Sequence, residues 1–316
     1  MAAQNDPTVA SLDLRLFDDD DDAEDLAYKQ IINGLVIQAT TPSQVAAQID
    51  EWVIGEANRR YSQLKERDPP FKLTEEEKDS LYLVGPNPSR HVDMIIGCVA
   101  VVCSAFPPNH AVQDALLEFI EQLNALPKHD VPDISYDDSD NAVFDKKLSL
   151  WSLDTSSTEY LAQKFQREAE ELAYPFSEVE TAGSEFQLRW RNLQSFISRL
   201  TTLGLINCSA VSALSYILPS SHTYPDLKER SVGGSHRIAS DLIAASQWLA
   251  PDQACQWVYQ QCKTSAGEAD GSRKIWTMQH WDQWKAQMSL FAADERFSEE
   301  TRLLARSLRE KMESLE

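Results

Sequence analysis

Residues 190–204 read WRNLQSFISRLTTLG, and this stretch decides the fold class. Its apolar side chains recur at steps of three and four, which predicts one buried face of an α-helix: Trp190, Leu193, Ile197 and Leu200. Gly204 directly follows them, at the position where helices often end on a left-handed residue. We therefore expect a core helix over about residues 183–203, with Arg189 and Asn192 projecting away from the core face.

The same helical spacing continues on both sides of this stretch, with almost no strand-like alternation. Capping sequences mark several helix starts, at Thr41, Thr74 and Ser298. The segment from Val92 to Phe106 is apolar on nearly all sides of a helix, which indicates a central buried element. These patterns predict an all-α fold, a helical bundle or array of about 10–12 helices with no substantial β-sheet.

Two acidic segments interrupt the helical pattern. Residues 1–25 include a run of aspartates whose like charges repel, which predicts a disordered tail. Residues 128–150 are rich in Asp and poor in apolar side chains, which predicts an acidic linker. The chain is thus expected to form two packed helical halves, residues 26–127 and 151–316. Further helices of the second half are expected over about 157–173, 207–218, 235–249, 251–263, 277–292 and 299–315.

Composition limits the classes of partner. The chain has 316 residues, 42% of them hydrophobic, so it can bury a sizeable core. Its formal net charge of −21 opposes binding to nucleic acid or to an anionic membrane. We find neither a signal-peptide run nor the roughly 20 apolar residues that span a bilayer. Five scattered cysteines without a secretory signal favour reduced thiols, so we expect a cytoplasmic or nuclear protein.

Tryptophan is concentrated in the last part of the chain. Six of the eight indoles lie there: Trp190, Trp248, Trp257, Trp276, Trp281 and Trp284. Large indoles at helical spacing either fill wide gaps between helices or line an apolar cavity, and the sequence leaves both alternatives open.

Four stretches resemble a fungal all-helical family, the domain of unknown function 3632. They are WRNLQSFISRL at 190–200, AASQWL at 244–249, WDQWK at 281–285 and FSEET at 297–301. The segment from His91 to Pro127 is also similar, so the resemblance covers most of the chain from about residue 28. It implies a fungal source, an all-helical fold and a role in specialised small-molecule metabolism. No catalytic residue is carried over from it.

The loop SVGGSHR, residues 231–237, is the most suggestive polar segment. Two glycines free the backbone where a helix begins, and polar side chains follow at its N-terminus. His236 and Arg237 are therefore the candidate catalytic residues, and we expect their replacement to reduce turnover with little effect on stability. The alternative is a flexible turn in which Ser235 only caps the helix.

Candidate substrate-binding residues are the aromatic and polar groups that could line a cavity: Trp190, Asn192, Tyr216, Trp248 and His91. For Asn192 the alternative is a buried amide that binds backbone groups of neighbouring helices. Cys255 and Cys262 share a helical face, but no set of four zinc ligands is evident, so neither metal nor cofactor is expected. Hydrolase, kinase, dinucleotide and redox motifs are absent from the sequence.

Two functions remain on the sequence alone. The favoured one is a cofactor-independent enzyme of secondary metabolism that acts on an apolar small molecule, such as a cyclase or a Diels–Alderase-like pericyclase. The alternative is a non-catalytic helical protein-interaction module with tryptophan anchors. An enclosed aromatic pocket favours the enzyme, whereas solid packing with an exposed groove favours the module. The oligomeric state stays open, a homo-oligomer included.

Overall fold

The structure is a computed structural model that describes residues 12–136, 142–152, 158–173, 183–218, 234–264 and 275–316. Within these ranges the chain is mostly helical, so the all-α prediction is confirmed. Twelve α-helices lie in the described residues: α1 Ala23–Val36, α2 Pro42–Lys65, α3 Glu75–Asp79, α4 Leu81–Val84, α5 Pro88–Ala105, α6 Ala111–Ala125, α7 Thr158–Ala173, α8 Glu185–Thr202, α9 Gly234–Leu249, α10 Asp252–Thr264, α11 Met278–Ala293 and α12 Glu299–Glu313.

Helix starts follow the capping chemistry expected from the sequence. Thr41 and Thr74 both form complete capping boxes, in which the threonine hydroxyl accepts from the third helical N–H and the side chain there returns the bond. The Ser298 hydroxyl accepts from the Thr301 N–H at the start of α12. At the other end of a helix, Gly204 adopts φ +71° just after α8, as a left-handed stop requires.

The chain divides into two compact units whose segments alternate along the sequence. One unit comprises the described residues of Met1–Leu14, Val102–Gln113 and Phe165–Glu316, and the other comprises the described residues of Arg15–Val101 and Asp114–Lys164. This differs from the expected halves at 26–127 and 151–316, because α5, α6 and α7 each cross from one unit to the other. We call them the C-terminal unit and the N-terminal unit.

In the N-terminal unit, α1 packs on α2, and α2 also contacts the first of four short strands. Residues 128–150, expected to be a linker, form antiparallel pairs of β1 Asp130–Pro132 with β4 Lys147–Ser149 and of β2 Ser135–Tyr136 with β3 Ala142–Val143. The flanking Trp151 is buried, and its indole N–H donates to Asp50 Oδ1 at 2.7 Å. This bond ties the end of the segment to α2.

The acidic N-terminal segment also differs from the expected tail. Residues 1–11 lie outside the described part, but Leu16 is buried and Asp21 pairs with Lys29. Asp22 then caps α1, because its carboxylate accepts the N–H groups of Glu24 and Asp25.

In the C-terminal unit, α9 is central and contacts α8, α10 and α12, while α11 packs along α12. The segment at 207–218, expected to be one helix, instead forms two 3₁₀ turns, Ser209–Val211 and Ala213–Ile217. Serine side chains explain the difference, since Ser212 Oγ accepts the Leu214 N–H and Ser215 Oγ donates to the Ser212 carbonyl. Such local bonds compete with continuous helix.

Among the described residues, no helix combines the length and apolarity that crossing a bilayer requires.

A groove in the C-terminal unit as candidate functional site

The late tryptophans pack against one another. Trp276 lies at ring-centroid distances of 6.2 Å from Trp248, 5.4 Å from Trp257 and 6.1 Å from Trp284. Trp248, Trp276 and Trp284 are buried, and the Trp284 N–H donates to the Leu214 carbonyl at 3.0 Å. The indoles of this cluster, which we call the tryptophan core, therefore occupy the space that the sequence left open as core or cavity.

Trp248 is fixed by a buried amide on α8. Its indole N–H donates to Gln194 Oε1 at 2.7 Å, and the same oxygen accepts the Ala213 N–H at 2.9 Å. The Gln194 amide group also donates to the Val211 carbonyl at 3.0 Å. Gln194 thereby bonds to three polar groups. The indole N–H of Trp248, a predicted substrate-binding residue, is therefore already paired within the protein.

Trp190 and Asn192, both on α8, also make internal contacts. The Trp190 ring meets the Tyr216 ring edge-on at 5.7 Å. The Asn192 side-chain amide donates to the Ser104 backbone carbonyl at 2.8 Å, and the Asn192 backbone carbonyl accepts from the Gln113 side-chain amide at 3.0 Å. Asn192 thus binds backbone groups, as the alternative interpretation expected.

Arg189 was expected to project away from the core, and that expectation is wrong. The residue is fully buried, its Nε donates to Glu185 Oε1 at 2.8 Å, and its Nη1 donates to Ser104 Oγ at 3.3 Å. Asn192 is buried as well, so α8 is enclosed on more than the one face that its apolar spacing marks. The spacing of apolar residues does not reveal polar side chains that are buried because they bond to other helices, so the burial of Arg189 could not be predicted from it.

The two catalytic candidates fall at the start of α9. The helix begins at Gly234, so Ser235 lies inside it; residues 231–233 and the side chain of His236 lie outside the described part. Arg237 Nε lies 3.3 Å from Asp241 Oδ2, one helical turn later, and Asp241 is 1% exposed. A buried carboxylate without a charged partner is costly, so Arg237 stabilises the fold by pairing with Asp241.

His91 belongs to the N-terminal unit, whereas the other predicted site residues belong to the C-terminal unit. Its Nε2 lies 2.8 Å from Glu24 Oε1, and its ring packs 4.8 Å from that of Trp52. Burial alone would raise the pKa of Glu24, but the hydrogen bonds and charges of His91 and Arg60 outweigh it and lower that pKa to about 2. His91 therefore helps to hold the start of α1.

A groove of about 580 Å³ opens elsewhere in the C-terminal unit, between the start of α8, the middle of α9 and the start of α12. Most of its surface is apolar, and its described lining residues are Gly183, Gln187, Ala239, Ser240, Ile243, Arg296, Phe297, Ser298, Glu300, Thr301 and Leu304. None of the catalytic or substrate-binding residues predicted from the sequence is among these lining residues. We call this feature the α9–α12 groove.

The lining of the groove is partly apolar and partly polar, and we call its apolar side chains (Ala239, Ile243, Phe297 and Leu304) the floor and its uncharged polar side chains (Gln187, Ser240 and Ser298) the rim. Phe297 is buried, Leu304 is half-buried and Ile243 is 36% exposed, so apolar surface is left for a ligand. Gln187, Ser240 and Ser298 come from three different elements and supply amide and hydroxyl groups around that surface. An apolar concavity with a few polar groups is typical of a small-molecule site.

Sequence reasoning missed this groove although it identified one of its edges. The Ser298 cap was evident, but the apolar Ile243 and the small Ala239 on α9 carry no motif. Ile243 gave no usable signal either, because single exposed apolar residues are common, as Leu203, Leu290 and Leu303 show.

The thiols of the chain are buried, and the potential metal ligands among the described residues do not cluster. All five cysteines are free and buried, and burial, together with the charge of Glu168, raises the pKa of the Cys103 thiol well above its usual value. Within the described ranges, no group of three or more His, Cys, Asp or Glu is placed to hold a metal ion.

Comparison with known proteins supplies a family. No curated protein and no solved structure matches the chain. One family model matches residues 97–288, more than half of the chain, and its description is protein of unknown function (DUF3632). The match includes three of the four stretches that carry the resemblance, at 190–200, 244–249 and 281–285, and the fourth, at 297–301, lies outside it. The chain therefore belongs to the DUF3632 family.

Proposed function

We propose that this protein is a helical binding module and that its α9–α12 groove takes an apolar small molecule. The observation that carries the proposal is the groove itself, whose volume of about 580 Å³ and mostly apolar surface are typical of small-molecule pockets. The clustered indoles and the open groove support a binding role, and the partner proposed here differs from the protein partner that the sequence analysis considered.

The size of the groove favours a small molecule over a protein partner. A stable protein interface uses roughly 20–30 residues on each side. The described lining of the groove has eleven residues, drawn from two helix starts and one helix middle. Five buried free thiols suit a reducing compartment, so we further propose that the ligand is met in the cytoplasm.

A rigid apolar probe tests the binding proposal. We expect 1-adamantylmethanol to bind the full chain and to perturb NMR signals of groove residues. Ala239→Phe should abolish binding because the ring fills the groove floor, whereas Ala286→Phe, at an exposed position of α11, should leave binding intact. Absence of binding, or equal binding by the Ala239→Phe variant, would overturn the proposal.

A second candidate is the cofactor-independent cyclase or pericyclase of fungal specialised metabolism. It is favoured by one observation, the convergence of Gln187, Ser240 and Ser298 around an apolar floor. Such a site can hold a substrate in a reactive conformer and polarise it through hydrogen bonds.

The second candidate is tested by measuring the rate at which a substrate cyclises. A triene with a tethered alkene, which cyclises slowly without enzyme, should cyclise faster with the wild-type chain than with the Ala239→Phe variant. Equal rates in both samples would remove catalysis and leave the binding proposal standing.

A further inference from the structure

Of the two charged side chains that line the α9–α12 groove, one has an ion-pair partner and the other has none among the described residues. Two charged residues, Arg296 and Glu300, are among its described lining residues. Arg296 Nε donates to Asp294 Oδ1 at 3.0 Å, and this bond to the guanidinium lowers the pKa of Asp294. Within the described part of the chain, Glu300 forms no ion pair. The negative charge of Glu300 is therefore the uncompensated one at the groove.

The surrounding field has the same sign. Glu299 and Glu300 both lie in the first turn of α12, where the helix N-terminus carries only about +0.5 elementary charge, so it offsets the two carboxylates in part and leaves this end of the helix negative. The whole chain carries a formal charge of −21, which attracts cations and repels anions at long range. An anionic head group at the groove would face Glu300 directly, whereas a cationic head group would be paired there.

We infer that the ligand of the groove is an apolar amine, an inference that rests on the proposed binding function. Its hydrocarbon body lies on Ile243, Phe297 and Leu304, and its ammonium group pairs with the Glu300 carboxylate. The Ser240 hydroxyl on the rim is the acceptor for a further ammonium hydrogen, because the Gln187 amide oxygen already accepts the Gly183 N–H.

Three probes with one apolar cage and different head groups test this inference. They are 1-adamantylmethylamine, which is protonated at pH 7, 1-adamantylmethanol and 1-adamantylacetate. We expect the amine to bind roughly two- to fivefold more tightly than the alcohol, as for a solvent-accessible ion pair, and the carboxylate to bind most weakly. Raising the salt concentration should shrink the difference between amine and alcohol.

A matched pair of variants assigns the effect to one carboxylate. Glu300→Gln should bring the amine and the alcohol to affinities within twofold of each other. Glu299→Gln removes the same charge from the neighbouring exposed position, which does not line the described groove, and should retain the preference for the amine.

The outcomes separate this inference from the proposed function. Failure of all three probes to bind overturns the proposed function itself. Binding of the alcohol or the carboxylate as tightly as the amine overturns the amine inference alone. Equal loss of preference in Glu299→Gln and Glu300→Gln also overturns it, because the general field would then act without a specific partner.

Discussion

Two parts of α9 show how one helix can fill one space and leave another open. In its last turn, Trp248 contacts Trp257 and Trp276 and bonds to Gln194, so large flat rings occupy the gap between helices. Two turns earlier, the small side chains of Ala239 and Ser240 face the start of α12, and the groove opens there. The size of the side chain at the helix contact, more than the overall apolar content, separates core from site.

The largest effect is expected in the tryptophan core. Trp284→Ala should lower the free energy of unfolding by about 3–5 kcal/mol, because a fully buried ring is lost and the Leu214 carbonyl loses its donor. Urea unfolding followed by circular dichroism measures the change. Leu290→Ala, at a largely exposed position of the same helix, is the control and should cost less than about 1 kcal/mol. A similar small loss for Trp284→Ala would mean that the core is not filled as described.

A smaller loss of stability is expected at the start of α9. Arg237→Ala should lower the free energy of unfolding by about 1–3 kcal/mol, because the buried Asp241 carboxylate loses a charged partner. This reverses the expectation from the sequence that stability would hardly change. Arg306→Ala, at an exposed position of α12, provides the comparison in the same unfolding assay. Unchanged stability of Arg237→Ala would return Arg237 to the list of candidate catalytic residues.

Local chemistry explains which parts of the fold were predictable. The caps at Thr41, Thr74 and Ser298 and the stop at Gly204 depend on residues within one turn, so they can be recognised in the sequence. The pairing of β1 with β4 joins residues about 17 positions apart through strands of only three residues, too short for an alternating pattern.

The site was harder to predict because it depends on which faces of α8, α9 and α12 lie next to one another in the folded chain. Nothing in the order of residues shows that Ala239 and Ser240 face the start of α12, and the same small residues would be unremarkable on another helix face. The conspicuous residues were instead needed for folding, as the bonds of Asn192, Trp248 and Arg237 show. Large or charged side chains stand out in a sequence, whereas a groove is formed where side chains are small.

A substitution in the groove should weaken binding, and it should cost less stability than a substitution in the tryptophan core. Ile243→Asp should weaken binding of 1-adamantylmethanol at least tenfold, about 1.4 kcal/mol, because the apolar floor gains a charge that the ligand must desolvate. Its free energy of unfolding should fall by about 1–2 kcal/mol, less than for Trp284→Ala, since Ile243 is 36% exposed and Trp284 is fully buried. Leu303→Asp, at a more exposed position outside the described lining, should bind like wild type. Loss of binding in both variants would point to a general charge effect.

The smallest effect concerns the hydroxyl that separates the two parts of α9. Ser240 lines the groove and is 7% exposed, so Ser240→Ala should weaken binding of 1-adamantylmethanol by roughly two- to fivefold, the value of one hydrogen bond to a neutral group. Ser289→Ala is the matched control, because the Ser289 hydroxyl bonds only within α11, to the Lys285 carbonyl at 3.0 Å. If Ser240→Ala binds the alcohol as well as wild type does, the groove holds its ligand by shape alone. The rim hydroxyl would then contribute no more to recognition than the packed indoles do, and the difference between the two parts of α9 would reduce to side-chain volume.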